Sequence, residues 1–285
     1  MRDPSAYLGA EVVFATRHGK ERQVAGVFAC LLGSVVTAPP DLDTDRFGTF
    51  TGDVARCLPP LETALAKARL GLAETGLRQA LASEGSYGSL PGLGWPGHEE
   101  ILLFLDDARG WYIIEGHRGV AIPGVARTVA GLDELRPHLP ALGWPGQALV
   151  VRPHATGAAA SDPVVKGVTD LGELAAAIHR AGLRSPDGRA TVEPDLRAMH
   201  NPTRRAVLRR LGRRMALRLA TRCPACATPG YGRTGFEAGL PCADCGRPTE
   251  LPRADVHTCP ACRHTTTVPR GERAASPGEC PDCNP

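Results

Sequence analysis

The sequence predicts an α/β domain, a sheet with flanking helices, followed by a small cysteine-rich module. Three observations carry that prediction. Apolar β-branched runs alternate with segments of helical period through most of the chain. The 285 residues and 42% hydrophobic content suffice for one sizeable core plus an appendage. Eight of the ten cysteines fall after residue 222, as four C-x-x-C pairs.

In order, EVVFAT (residues 11–16) reads as a strand, and RHGKERQVAGVFACLL changes to a helical rhythm. SVVTA reads as a second strand, and the loop DLDTDRFGTFTGD is too rich in Asp, Thr and Gly to be core. In PPLETALAKARLGLAETG, Leu61, Ala64, Leu65, Ala68 and Leu72 recur at helical spacing between Pro59–Pro60 and Gly76. QALASEGSYG reads as a strand running into a Gly-rich turn, and EEILLFLDD as another strand. WYIIEGHRGVAIPG, ALVVRPH and the helix LGELAAAIHRAG are further elements, and the WPG tripeptides at Trp95 and Trp144 read as turns. From Asn201, NPTRRAVLRRLGRRMALRLATR places Leu208, Leu211, Met215 and Leu219 on one face and Arg205, Arg209, Arg213 and Arg214 largely elsewhere. This basic amphipathic helix leads directly into Cys223. The expected organisation is residues 8–221 as the α/β domain and 222–285 as the module.

A formal charge of +3 imposes no overall demand for nucleic acid, and 5% aromatic content argues against extensive base stacking. No run approaches the roughly 18 apolar residues of a membrane span. The opening MRDPSAYLGAEVVFAT lacks the layout of a signal peptide. A cytoplasmic, reducing location with no membrane partner is therefore expected, and metal binding suits the cysteines better than oxidation.

Two thiolates in a C-x-x-C turn can face one ion, and two such turns complete the tetrahedral site of structural zinc. The knuckles are Cys223/Cys226, Cys242/Cys245, Cys259/Cys262 and Cys280/Cys283. Sequential pairing, first with second and third with fourth, is the expected arrangement for two zinc ions. Interleaved pairing, first with third and second with fourth, is the alternative. Full cysteine sets leave no open position for substrate water, so these ions are expected to organise structure. His257 and His264 read as solvent-facing or supporting groups, and Cys30 and Cys57 as plain interior or loop residues.

Upstream, three stretches resemble the purine nucleoside triphosphate pyrophosphatases that act on inosine and xanthosine triphosphates. FATRHGKERQV is similar to that family's opening strand and Thr-x-Asn-x-x-Lys loop, with Thr16 and Lys20 matching, His18 near the Asn and one residue missing. ETALAKARLGLAETGLRQALASEGSYG is similar to its Glu-Asn-Ala-x-x-Lys-Ala helix and acidic-Ser-Gly turn, with Glu62, Lys67 and Glu84 aligned. MHNPTRRAVLRRL is similar to a Ser-His-Arg segment, which places His200 with Arg204 or Arg205 near base or phosphate. The resemblance implies an ITPase-like mixed sheet with flanking helices. It also implies a nucleotide partner, Mg²⁺ held by Glu62 and Glu84, and hydrolysis to nucleoside monophosphate and pyrophosphate. Ser83 stands where that family has a second Asp, and the family's Phe-Gly-Trp-Asp stretch has no counterpart. The whole arrangement, with DTDRFGTFTG, ASEG, NPTR and a terminal ribbon ending CNP, looks like an uncharacterised bacterial domain-of-unknown-function family.

Each residue also has a structural reading. Lys20, Glu21 and Arg22 suit a solvated first helical turn, and Glu62 a favourable helix N-terminus. Asp41, Asp43, Asp45 and Asp53 suit a solvated loop. Lys166 and Gly167 suit a turn before a helix capped at Thr169 or Asp170. The competing function is non-catalytic: the Arg-rich helix and ribbon gripping nucleic acid, or the ribbon docking on another protein.

Overall fold

The structure, a computed structural model, describes residues 4–49, 54–55, 57–89, 96–120, 124–154 and 164–284. Asp53 and Trp95 lie outside the described residues. A five-stranded mixed sheet is built around β1 (Glu11–Phe14), which runs parallel to β2 (Val35–Thr37) on one side and β3 (Gln79–Ser89) on the other. Strands β4 (Pro96–Asp106) and β5 (Trp111–Val120) continue it antiparallel, giving the order β2-β1-β3-β4-β5.

Side-chain alternation sends Val12, Phe14, Leu81, Leu102 and Phe104 to one face, where Phe28, Leu32, Val207, Leu211, Met215 and Leu219 cover them. Those residues come from α1 (Ala25–Leu32) and α5 (Pro202–Leu219). Val13, Ala15, Ala80, Ala82, Leu103 and Leu105 point the other way, onto Ala64 and Ala68 of α2 (Pro60–Thr75). Strands buried on both faces read as continuous apolar runs, which is why LLFL and VVFA carry no polar alternation. Helix α2 has the predicted limits, with Pro60 in its first turn and Gly76 closing it at φ 69°.

The expected Gly-rich turn after Glu84 is instead strand. β3 continues through Gly85 and Gly88 to Ser89 because β4 supplies a ladder along its full length. The helical rhythm read from Arg17 resolves into a 3₁₀ turn, Lys20–Gln23, and then α1, whose Cys30 is exposed rather than interior.

A second, four-stranded antiparallel sheet has the order β6-β9-β7-β8: β6 (Arg127–Val129), β7 (Leu149–Pro153), β8 (Val165–Val168) and β9 (Ala190–Pro194). Its core of Leu149, Val151, Val168 and Val192 is covered by α3 (Leu132–Leu135) and by Leu174, Ala177 and Ile178 of α4 (Leu171–Gly182). Residues 8–221 therefore hold two sheets, each with its own core. Asp170 caps α4 by accepting from the Glu173 amide at 2.9 Å. Lys166 and Gly167, expected in a turn, lie on β8.

Asn201 caps α5, which returns to the first sheet and passes without a linker into the cysteine region. There β10 (Gly232–Ala238), β11 (Pro252–Thr258) and β12 (Thr265–Pro269) form an antiparallel ribbon. Among the described residues no helix is long and apolar enough to cross a membrane.

Candidate functional site

The β1-α1-β2 and β2-α2-β3 connections place α1 and α2 on opposite faces of the sheet. A crevice opens at the carboxyl end of β1, where sheets of this kind bind ligands. A narrow cleft of about 50 Å³ lies there. His18 and Lys20 line it from the loop after β1, Asp45 from the following loop, and Lys67 from α2. Glu84 and Gly85 come from β3, Lys166 from β8, Arg197 from the approach to α5 and Arg204 from its first turn. Five cationic side chains thus line the cleft with two carboxylates, Asp45 and Glu84, while behind them Arg197 is held by Asp195 at 2.6 Å and Arg204 by Glu100.

Beneath the cleft, Arg204 and Glu100 form a buried two-pronged pair, with Nε to Oε2 at 2.8 Å and Nη2 to Oε1 at 2.9 Å. Arg204 Nη1 also donates to the Leu196 carbonyl at 2.7 Å. His98 bonds Glu100 at 3.1 Å and stacks on Tyr87, whose hydroxyl accepts from Asn201 at 3.2 Å. Gly85 is where the pair meets β3: a Cβ there would collide with Glu100 and lie 2.6 Å from Arg204 Nη2. Burial works against the Glu100 charge, but Arg204, His98 and Lys20 hold its carboxyl well below the usual carboxylate range.

Lys20 reaches inward to the Ser83 carbonyl at 3.2 Å and the Ser83 hydroxyl at 2.9 Å. Burial, with Arg204 and Lys67 adding repulsion against the pull of Glu100 and Glu84, brings its pKa down to about 7. Lys67 donates to Glu84 at 2.6 Å, and His18 pairs with Asp45 at 3.0 Å, a bond that lowers the Asp45 pKa.

Of the residues singled out in the sequence, the cleft gathers His18, Lys20, Lys67, Glu84 and Arg204. Thr16 is buried and its hydroxyl accepts from the His18 amide at 3.1 Å, so it shapes the loop. Glu62 is exposed in the first turn of α2 and does not line the cleft, and the partner of Glu84 is Lys67. The structure therefore does not assemble the two-carboxylate arrangement. His200 packs against Gly167, and Arg205 donates to the Met199 carbonyl at 2.7 Å; neither lines the cleft. Glu100, His98 and Arg197 were not anticipated. The sequence held no clear signal for Glu100, which stands beside Glu99 at the start of EEILLFLDD.

The eight module cysteines form two groups, Cys223/Cys226/Cys259/Cys262 and Cys242/Cys245/Cys280/Cys283, either of which could hold a metal ion. This interleaving corrects the sequential pairing. Antiparallel strands alternate direction, so the first and third knuckles flank one end of the ribbon, where Gly232 pairs with Thr258 and Thr258 with Thr265. The second and fourth knuckles lie beyond the other end, where Cys242 bridges to Ala275. Gap length carries no information about strand direction.

Sulfur separations of 3.6 to 3.8 Å across each group match the edge of about 3.8 Å that a tetrahedron with metal–sulfur bonds of ~2.3 Å requires. They are far longer than the ~2.05 Å of a disulfide. The knuckles are braced by their own amides: Ala227, Gly246 and Asn284 donate to the carbonyls of Cys223, Cys242 and Cys280 at 2.9, 3.0 and 2.9 Å. Hydrogen bonds from Thr228 bring Cys226 down to about 6, and the Cys245 and Asp244 amides bring Cys242 down to about 7, favouring the thiolate that binds metal. Burial instead pushes Cys259 up to about 12, a penalty that a bound cation would offset.

Fold and site together define a mixed α/β protein with a terminal ribbon carrying two tetra-cysteine groups. Residues 67–285 match the family described as a domain of unknown function (DUF6671), and the chain belongs to that family. The matched region includes Lys67, Glu84, Glu100, Lys166, Arg197, Arg204 and all eight ribbon cysteines. A comparison with curated proteins found no match.

Replacing Arg204 by Met leaves Glu100 as an uncompensated buried charge. Urea unfolding is expected to show a loss of about 3–5 kcal/mol, part of which Glu100→Gln in the same chain restores. The cysteine pairing is checked by metal content: Cys226→Ser with Cys262→Ser should remove one bound metal and leave the other. Loss of both would indicate sequential pairing.

Proposed function

We propose that the α/β region binds a phosphorylated ligand by a phosphoryl group and that the ribbon holds two structural zinc ions. The observation that carries the first part is the convergence of Lys20, Lys67, Lys166, Arg197 and Arg204 on one cleft at the carboxyl end of β1. Size decides how much of the ligand enters. Since one water needs roughly 10–15 Å³, a cleft of about 50 Å³ admits a tetrahedral oxyanion but not a base and ribose. The rest of the ligand, a nucleoside in the reading that the pyrophosphatase resemblance favours, stays outside.

Binding is favoured over Mg²⁺-dependent hydrolysis because Glu62 is exposed and Glu84 is engaged by Lys67. The zinc assignment rests on the four-thiolate donor sets and their tetrahedral spacing. A reducing, cytoplasmic setting suits eight thiols reserved for metal.

Elemental analysis of the purified protein should give about two zinc per chain; iron, or a single zinc, would contradict the assignment. Calorimetric titration with sulfate, pyrophosphate and nucleoside mono- and triphosphates should show binding that Lys20→Met or Arg197→Met weakens roughly tenfold or more. Sulfate keeps its charge near neutrality, so it isolates the protein's own titration. An anion prefers the protonated Lys20, so sulfate affinity is expected to fall as pH rises through about 7 and to lose that slope in Lys20→Met. No binding by any of these anions would sink the proposal. Pyrophosphate release that Glu84→Gln abolishes would replace binding with hydrolysis.

A further inference from the structure

A second concave region shares no lining residue with that cleft. It is a trough of about 500 Å³ between β5, α5 and the ribbon, within the usual range of ~300–1,000 Å³ for ligand sites. Arg214 and Arg218 of α5 and Arg233 and Arg263 of the ribbon line it, with Tyr112 from β5 and a single carboxylate, Glu115. An adjoining hollow of about 250 Å³ shares Glu115, Arg214, Arg218 and Arg233 and adds Tyr231 and His257.

Glu115 is already held by both helix arginines, by Arg214 at 2.6 Å and Arg218 at 3.3 Å, and Arg233, half-exposed, also pairs with Asp255 at 2.9 Å. The two hollows thus form an arginine-lined track with an exposed ring at one end, Tyr112, 42% exposed, and the half-buried His257 at the other, packed 5.9 Å from the buried Tyr231. Exposed Arg209, Arg210 and Arg213 extend the positive charge along α5. β5 is an edge strand, so an added peptide strand is the obvious competitor. That edge is capped, because the carbonyls of Ile114 and Gly116 accept from Arg218 and Arg214 at 3.2 and 3.1 Å.

We propose that this trough binds single-stranded nucleic acid, its arginines contacting successive phosphates and Tyr112 stacking on a base. A positively charged groove beside an exposed aromatic face is what an unpaired strand requires, and neither feature calls for sequence readout. The third knuckle, through Cys259 and Pro260, forms one wall, so the metal-braced ribbon shapes the site.

Fluorescence anisotropy with labelled single-stranded RNA and DNA of mixed sequence, at several salt concentrations, tests this in the intact, metal-loaded protein. Affinity should fall as salt rises, with a log–log slope of about −2 to −3 for three or four phosphates. Tyr112→Ala should weaken binding roughly fivefold or more. Arg233→Glu, alone or with Arg263→Asn, which suits the left-handed backbone at that position, should weaken it roughly tenfold or more with metal content unchanged. Arg180→Glu, an exposed site on α4, should leave it unchanged. The proposal fails if no strand binds at low salt, if the trough variants bind normally, or if Arg180→Glu is equally damaging. Displacement of the strand by an acidic peptide of matching affinity would assign the trough to a protein partner.

Discussion

The buried pair between Arg204 and Glu100 joins parts of the molecule that share little else. Glu100 sits within β4 of the first sheet, while Arg204 opens the helix that follows the second sheet. Their two-pronged contact therefore fixes where the chain rejoins its first core. Such a pair is weak evidence for stability, because stripping water from two ions costs several kcal/mol each and attraction repays this only with good geometry. Here the geometry is good, and the Leu196 carbonyl takes the remaining guanidinium nitrogen. The gain is in placement. With Asn201 capping the same helix and bonding Tyr87, the start of α5 has little freedom of rotation or register.

Placement has electrostatic consequences in the cleft above. Glu100 neutralises Arg204 from below, so Lys20 lies within a field where like charges and burial outweigh nearby carboxylates, and its proton is weakly held. Lys67 is held by its contact with Glu84, and His18 is tethered by Asp45. Arg197 is likewise held, by Asp195 at 2.6 Å, as an unpaired buried charge would be costly. The cluster nonetheless concentrates charged donors at the carboxyl end of β1, where sheets of this kind hold ligands.

The parts legible in the sequence were those set by local chemistry. α2 and α4 were read from apolar spacing with Pro60, Gly76 and Asp170 at their ends, because caps and breakers act within a turn of chain. The loop after β1, with His18 and Lys20, stood out through its resemblance to a Thr-x-Asn-x-x-Lys loop that follows a strand. What escaped was set by distant partners. Gly85 and Gly88 look like a turn unless a paired strand is present to keep them extended, and Glu100 looks like an ordinary strand acid until an arginine 104 positions later arrives beside it. Glu62 misled for the opposite reason, since its match to a known helix opening said nothing about which way this helix turns its first residues.

The ribbon shows the same division between local and distant information, with a physical difference between its two ends. Each C-x-x-C turn is a local structure that its own amides stabilise, which made the eight cysteines recognisable without a fold. Which turns meet depends on the antiparallel course of β10, β11 and β12, and that course sends one tetra-cysteine group to the end nearest the α/β body. There Gly230 fits between Trp111 of β5 and Pro260 of the third knuckle, where an ideal Cβ would lie 3.4 and 3.3 Å from them. Arg218 donates to the Gly230 carbonyl at 3.0 Å and to the Ile114 carbonyl at 3.2 Å, tying the first knuckle's loop to the edge of the sheet. The group at the other end makes no such bridge among the contacts described. A metal ion held by Cys223, Cys226, Cys259 and Cys262 would therefore brace the junction between ribbon and sheet as well as the ribbon itself, whereas one held by Cys242, Cys245, Cys280 and Cys283 would brace the outer turns. Two chemically identical donor sets thus carry different mechanical loads, and the difference follows from strand direction rather than from the cysteines.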